Sequence, residues 1–171
     1  HYKNDPSLSE EEIEKVALWA DSGAPLGNPA DLPDPIDFGD ENAWSIGEPD
    51  LILESPSVTV PTSAADKWTS LGTIPTGLTE DRYVAAVEVK EFNDIPSDVA
   101  GDTVGGRYVF HHMTYASVVP DGTADTGSTR FPVHEVGRNA DIFPDNAGRL
   151  LRAGSALELE TAHLHANGRE T

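Results

Sequence analysis

The chain of 171 residues has the length of one domain, or of one domain with an appendage. Its 30 acidic and 11 basic residues give a net charge of −19, which disfavours nucleic acid and anionic membranes as partners. The absence of cysteine excludes disulfides, thiolate metal ligands and covalent c-type haem within this chain, and the absence of long apolar runs predicts no membrane insertion.

The first predicted element is a helix over residues 9–22. Ser9 and Glu12 have the spacing of a capping box, and Gly23 and Pro25 predict where the helix ends. Apolar residues recur at helical spacing, at Ile13, Val16, Ala17 and Ala20. Because this apolar stripe is narrow, we expect the helix to pack on a separate surface rather than inside a β core.

Residues 23–50 are rich in proline, glycine and aspartate, which predicts a long irregular connection. We expect Trp44 and Ile46 to anchor it. From residue 51 the pattern is typical of β-strands, with β-branched and aromatic residues between turn-forming strings. The predicted strands lie within residues 51–60, 82–92, 106–119 and 155–166. The predicted fold is therefore mainly β, an antiparallel β-sandwich of jelly-roll type with one N-terminal helix and a long proline-rich connection.

Four of the six histidines fall in two of these predicted strands. His111 and His112 are adjacent, and His163 and His165 end the last strand. Imidazole is a common ligand of copper and zinc. Adjacent residues of a regular strand point to opposite faces, so His111 and His112 reach one metal only if the strand ends, twists or bulges there. Spacing alone favours His163 with one member of the pair, and hydrogen-bonded strand histidines remain the alternative.

Other candidate residues have simpler interpretations. Met113 is a soft copper ligand in principle, but core packing is the favoured interpretation. His134 lies in a loop-like string, where we expect a surface residue rather than a hydrogen-bond partner of a ligand. Trp19, Trp44 and Trp68 are interpreted as packing anchors. A zinc hydrolase with three histidines ranks last, because the sequence offers no obvious general base.

A resemblance to a known family is carried by the string YVFHHMTYASV. It resembles the first copper strand of the copper type II, ascorbate-dependent monooxygenases, the peptidylglycine α-hydroxylating and dopamine β-monooxygenases. The resemblance implies that His111 and His112 both bind the first copper and that Met113 does not. It places the third ligand at His163, in LELETAHLHANG, with Leu164 where the family has an aromatic residue. His165 has no certain counterpart and stays an additional candidate.

The resemblance extends over nearly the whole chain. Residues 8–33, LSEEEIEKVALWADSGAPLGNPADLP, resemble the last helix and tail of a cytochrome c domain. The chain is thus similar to bacterial proteins in which a c-type cytochrome precedes a monooxygenase-like region. This implies a cytochrome c-like tail over residues 1–32, a linker over 33–50 and a β domain over 51–171 that is incomplete at its C-terminus. It also implies a periplasmic or extracellular location.

The function implied by the resemblance is redox chemistry. We expect one copper per chain, in the electron-transfer half of a copper monooxygenase-like oxidoreductase, with a haem domain or cytochrome as electron donor. Neither a CxxCH motif nor the family's second copper site is present in this sequence. We therefore expect haem c only in a preceding part of a longer polypeptide, a second copper domain as a possible partner, and no hydroxylation by this chain alone. The alternative is a non-catalytic structural or binding β module of an extracytoplasmic assembly.

The charge of −19 predicts that stability depends on salt. Self-repulsion opposes the compact state, and dissolved ions screen it, whether the protein is adapted to high salt or is an ordinary acidic extracytoplasmic protein. Raising the salt concentration from about 0.05 M to about 2 M should raise the melting temperature, measured by circular dichroism. A melting temperature that stays flat or falls across this range contradicts adaptation to high salt.

Overall fold

The computed structural model describes residues 5–37, 40, 43–63, 67–96, 106–119 and 130–171. The chain divides into two compact units, residues 1–39 and residues 40–171. Within the described ranges, no helix is both long enough and apolar enough to cross a membrane.

Among its described residues, the first unit contains one α-helix, α1 (Glu10–Asp21), and a short 3₁₀ helix at Pro29–Asp31. The capping box predicted at the start of α1 is confirmed. The Glu12 N–H donates to Ser9 Oγ at 3.3 Å, and the Ser9 N–H donates to Glu12 Oε2 at 2.7 Å. Three glutamates in the first turn complement the positive end of the helix dipole. The helix buries none of its own residues, so its apolar stripe is exposed.

The second unit contains nine strands among its described residues, and every pairing between them is antiparallel. The strands are β1 (Lys67–Thr69), β2 (Gly72–Pro75), β3 (Arg82–Val84), β4 (Ala86–Glu88), β5 (Phe110–Val118), β6 (His134–Glu135), β7 (Ala140–Ile142), β8 (Arg149–Leu151) and β9 (Ala156–Leu164). The largest sheet has the order β1-β9-β5-β6, with β2 also paired to β9. Two smaller sheets pair β3 with β8 and β4 with β7. The prediction of a mainly β, antiparallel fold is therefore confirmed.

Two of the predicted strands differ from the structure. Residues 51–60 form no strand, because Pro56 within them lacks an N–H and fixes φ. Only Val60, at the end of this segment, exchanges backbone hydrogen bonds with Thr171, at 2.8 and 3.0 Å. Residues 82–92 form two short strands instead of one. They separate at Ala85, so that β3 pairs with β8 and β4 pairs with β7.

The core of the second unit forms around β5 and β9, the two longest strands at nine residues each. Its buried members are Val60, Val109, Met113, Tyr115, Phe131, Leu151, Leu159, Ala162 and Leu164. The segment predicted as a connection is fastened to this unit near Trp44 and Ile46. Glu88 accepts the Ser45 N–H at 2.8 Å and the Ile46 N–H at 3.2 Å, and Lys90 lies over the Trp44 ring.

The capping box gives a test of the first unit. Ser9→Ala removes the acceptor for the Glu12 N–H, so we expect the helix to lose about 1 kcal/mol of stability. Thermal loss of the helical circular dichroism signal of α1 measures this effect. Ser7→Ala is the matched control, because the Ser7 hydroxyl bonds Asp5 and not the helix. Equal melting of the two variants would show that the cap does not stabilise α1.

Candidate metal centre

The site is created by an irregularity in the pairing of β5 with β9. Phe110 lies opposite Leu164, and His112 lies opposite His163, so two steps along β5 match one step along β9. His111 is the extra residue, as in a β-bulge. A regular strand would send His111 and His112 to opposite faces, whereas the bulge lets both approach one point. The predicted break in strand regularity at this pair is therefore confirmed.

A second irregularity restores the register a few residues later. Thr114 lies opposite Thr161, and Tyr115 lies opposite Leu159, so Glu160 is an extra residue on β9. Between the two irregularities, His112–Thr114 pair with β9 one position out of register relative to the rest of the ladder. The shift places His112 directly opposite His163.

The imidazoles of His111, His112 and His163 converge. One ring nitrogen from each lies within 4.8 Å of the others. His111 Nδ1 is 3.0 Å from His163 Nδ1 and 3.2 Å from His112 Nδ1. Nitrogens that share one ion at about 2.0–2.1 Å stand roughly 3.3 Å apart in a tetrahedral arrangement. The two short separations are close to this value, and the third pair must lie within about 4.2 Å for all three nitrogens to share one ion.

The chemistry of the His111 ring nitrogen also favours a cation. In neutral imidazole a given nitrogen carries either one proton or one lone pair. His111 Nδ1 faces two other nitrogens at hydrogen-bonding distance, and a single proton or lone pair serves two such partners poorly. A metal ion accepts all three lone pairs at once, so the arrangement is better matched to an ion than to hydrogen bonds alone.

The pairing of four strands aligns four side chains in one row. Trp68 on β1 lies opposite His163 on β9, His163 lies opposite His112 on β5, and His112 lies opposite Glu135 on β6. The Trp68 indole stacks on the His163 ring, with centroids 4.1 Å apart and planes 7° apart. Its edge contact with the His112 ring has a centroid distance of 5.0 Å. An aromatic face and a carboxylate thus lie at the two ends of the histidine pair.

A carboxylate fixes the backbone that leads into the bulge. Glu91 accepts the Phe110 N–H at 2.8 Å and the Val109 N–H at 3.1 Å, and it also accepts the Asn93 side-chain amide at 2.7 Å. On the other side of the bulge, the His111 carbonyl accepts the Val136 N–H at 2.9 Å. Charge-assisted bonds of this kind are stronger than neutral ones, so Glu91 holds β5 rigidly just before the first histidine.

Burial lowers the pKa of His112 below its ordinary value, and the neighbouring His163 and His111 rings lower it further. The Glu135 carboxylate acts in the opposite direction but does not reverse the shift. His112 is therefore neutral at neutral pH. A neutral imidazole is the form that ligates a metal, so His112 can bind an ion without first losing a proton.

His165, the additional candidate, lies beside the three converging rings. Its ring centroid is 4.7 Å from that of His111 and 4.6 Å from that of His163. The backbone N–H of His165 donates to the Val109 carbonyl at 2.7 Å, which ties the end of β9 to the start of β5. Among the described residues, however, the group with mutually close ligand atoms is His111, His112 and His163.

Met113 and His134 lie on the opposite, buried face of the sheet. Met113 is 4% exposed and belongs to the core, as predicted. The prediction that His134 is a surface residue is wrong, since it is 7% exposed and lies opposite Met113 in the ladder. Two residues of the string FPVHEV, His134 and Glu135, form the strand β6 beside β5, and strand alternation turns the histidine inward and the glutamate outward.

Sequence reasoning missed the roles of Trp68, Glu91 and Glu135. Trp68 was predicted to be a packing anchor, yet it is 57% exposed and stacks on a histidine of the cluster. Nothing in the strings around these residues specifies the partner strand or its register.

No family model, curated protein or solved structure matches this chain. The geometry of the site and the residues that carry the resemblance are therefore the features that point to a function.

The burial of His134 makes stability depend on pH. Burial lowers the pKa of His134 to about 4, although the Glu135 carboxylate opposes the shift. Between the unfolded value of about 6.5 and this folded value, the unfolded chain binds a proton that the folded chain excludes. Lowering the pH through this window should therefore reduce the free energy of unfolding, by up to about 3 kcal/mol from this residue. His134→Leu should remove that part of the pH dependence.

Urea unfolding of the metal-free protein at neutral pH and at about pH 4.5 measures this contribution. The many carboxylates also change the free energy of unfolding with pH. They do so equally in the variant and the wild type, so their contribution cancels when the two proteins are compared. An unchanged pH dependence in His134→Leu would show that His134 titrates alike in both states.

Proposed function

We propose that this chain is a copper-binding redox domain, in which His111, His112 and His163 hold one copper ion. The observation that carries the proposal is the convergence of these three imidazoles at the β5 bulge, with ligand atoms within 4.8 Å of one another. The same three residues are those that the resemblance to the copper type II monooxygenases marks as ligands of the first copper.

The donor set fits copper in a site built for one-electron transfer. Three imidazoles suit copper, and the chain has no thiolate to give a blue-copper site. A bound copper ion would supply a Cu(II)/Cu(I) couple at this position. The protein's own part is to present three lone pairs on a rigid strand pair, with Glu91 and the Val136 N–H fixing the backbone on both sides of His111.

The rest of the proposal follows the resemblance. Residues 51–171 are proposed to be the first-copper β domain of a larger protein, with their sheets arranged as a jelly-roll type sandwich, and residues 33–50 to be a linker. Residues 1–32 are proposed as the tail of a cytochrome c-like domain, so that a haem domain or cytochrome would donate electrons. A periplasmic or extracellular location and a second copper domain, which would complete a monooxygenase-like oxidoreductase, belong to the same proposal.

Copper binding gives the direct test. The purified protein should bind one Cu(II) per chain, and its electron paramagnetic resonance spectrum should be of type II, without an intense blue absorption band. His163→Ala should weaken Cu(II) binding by more than about a hundred-fold, because removing a direct ligand costs more than removing an outer partner. Binding should also weaken at about pH 5, where protons compete for the imidazole lone pairs.

His165→Ala is the matched control, since this ring lies beside the cluster but outside the group of three. It should weaken Cu(II) binding much less than His163→Ala does. If the wild type binds no copper, or if His163→Ala binds it as tightly as the wild type, the proposed function fails. The non-catalytic module then becomes the better explanation.

A further inference from the structure

One aromatic side chain contacts two of the three converging histidines while it remains open to solvent. The Trp68 ring lies nearly parallel to the His163 ring, at 4.1 Å, and meets the His112 ring edge-on at 5.0 Å. Trp68 is 57% exposed, whereas His163 beneath it is only 6% exposed. The indole therefore covers His163 from the solvent side.

Core packing does not explain this placement. An aromatic residue used as a packing anchor gains its stability by burying its ring, and more than half of Trp68 stays in water. Among the residues that the structure describes, its two ring contacts are both with histidines of the cluster. The face-to-face stack suits an electron-rich indole against an electron-poor ring, and imidazole becomes electron-poor when it ligates a cation.

We propose that Trp68 is a positioning residue of the metal centre, which fixes the plane of His163 and favours a divalent ion over a monovalent one. The proposal rests on the function proposed above. The indole face attracts positive charge, and a His163 ring bound to a divalent ion carries more of it than a ring bound to a monovalent ion. Trp68 should therefore strengthen the binding of Cu(II) more than that of Cu(I).

Affinity measurements on three variants test this role. Trp68→Leu removes the aromatic face, Trp68→Phe keeps a flat ring, and Trp44→Leu is the matched control, because Trp44 lies over Lys90 instead of the histidines. Trp68→Leu should weaken Cu(II) binding about five-fold and Cu(I) binding less than two-fold, as competition with chromophoric chelators would measure. Trp68→Phe should recover part of the Cu(II) affinity, and Trp44→Leu should match the wild type.

A fluorescence measurement keeps the proposal testable even if Trp68→Leu fails to fold. In the variant that carries Trp19→Phe and Trp44→Phe, Trp68 is the single tryptophan. One equivalent of Cu(II) should strongly quench its emission, because the indole is stacked on a ligand of the ion. Zn(II), which has no unpaired electrons, should leave most of the emission. Emission that stays unchanged in a sample shown to bind one Cu(II) per chain would overturn the proposal, whereas a sample that binds no Cu(II) counts against the proposed function instead.

The outcomes separate this inference from the proposed function. If His163→Ala lowers Cu(II) affinity while Trp68→Leu leaves it unchanged, the metal centre stands and the role of Trp68 is overturned. If Trp68→Leu weakens Cu(II) and Cu(I) binding equally, Trp68 only supports the arrangement of the histidines. The proposed preference for the divalent ion is then overturned. If His163→Ala binds Cu(II) like the wild type, the proposed function itself fails.

Discussion

The pairing of β5 with β9 is the constraint on which the second unit depends. These two strands carry a large part of the buried core, and every other strand of the largest sheet attaches to one of them. The same pair carries all three converging histidines. The position of the site is thus set by the longest strand pairing among the described residues, which favours a rigid arrangement of the three histidines.

The two faces of the largest sheet differ: one packs in the core, and the other carries the row of histidines. On one face, Met113, Ala162 and His134 are buried, and burial keeps His134 neutral over most of the pH range. On the other face, Trp68, His163 and His112 form a row that opens toward solvent at the indole. Alternation along each strand produces this division, so the polarity of one face can change without disturbing the packing of the other.

Local patterns in the sequence predicted those features that depend on neighbouring residues. The capping box at Ser9, the strand containing His111 and the strand ending near His163 are of this kind, and each is present in the structure. The requirement for a break at His111 also followed from strand alternation alone. Residues 51–60 show the limit of such patterns, because their apolar residues suggested a strand that Pro56 prevents.

Features that depend on the register between paired strands could not be predicted from the sequence. Trp68 meets His163 only because β1 pairs with β9 at one particular alignment, across a long separation in the chain. Glu91 reaches the start of β5 through backbone N–H groups, which leave no trace in the pattern of side chains. His134 was wrongly predicted to lie at the surface for a related reason. Its strand has only two residues, which is too short to show a periodic pattern in the sequence.

The two irregularities in the β5–β9 ladder have a genetic consequence. His111 on β5 and Glu160 on β9 are single extra residues that offset one another, and the ladder is in one phase on both sides of them. In-frame loss of both codons would leave a continuous, regular ladder of eight residues on each strand, built on the same core. That change would erase one of the three imidazoles while leaving His112 opposite His163. If the three histidines hold an ion as proposed, related genes should therefore keep these two extra residues together, or lose them together with the site.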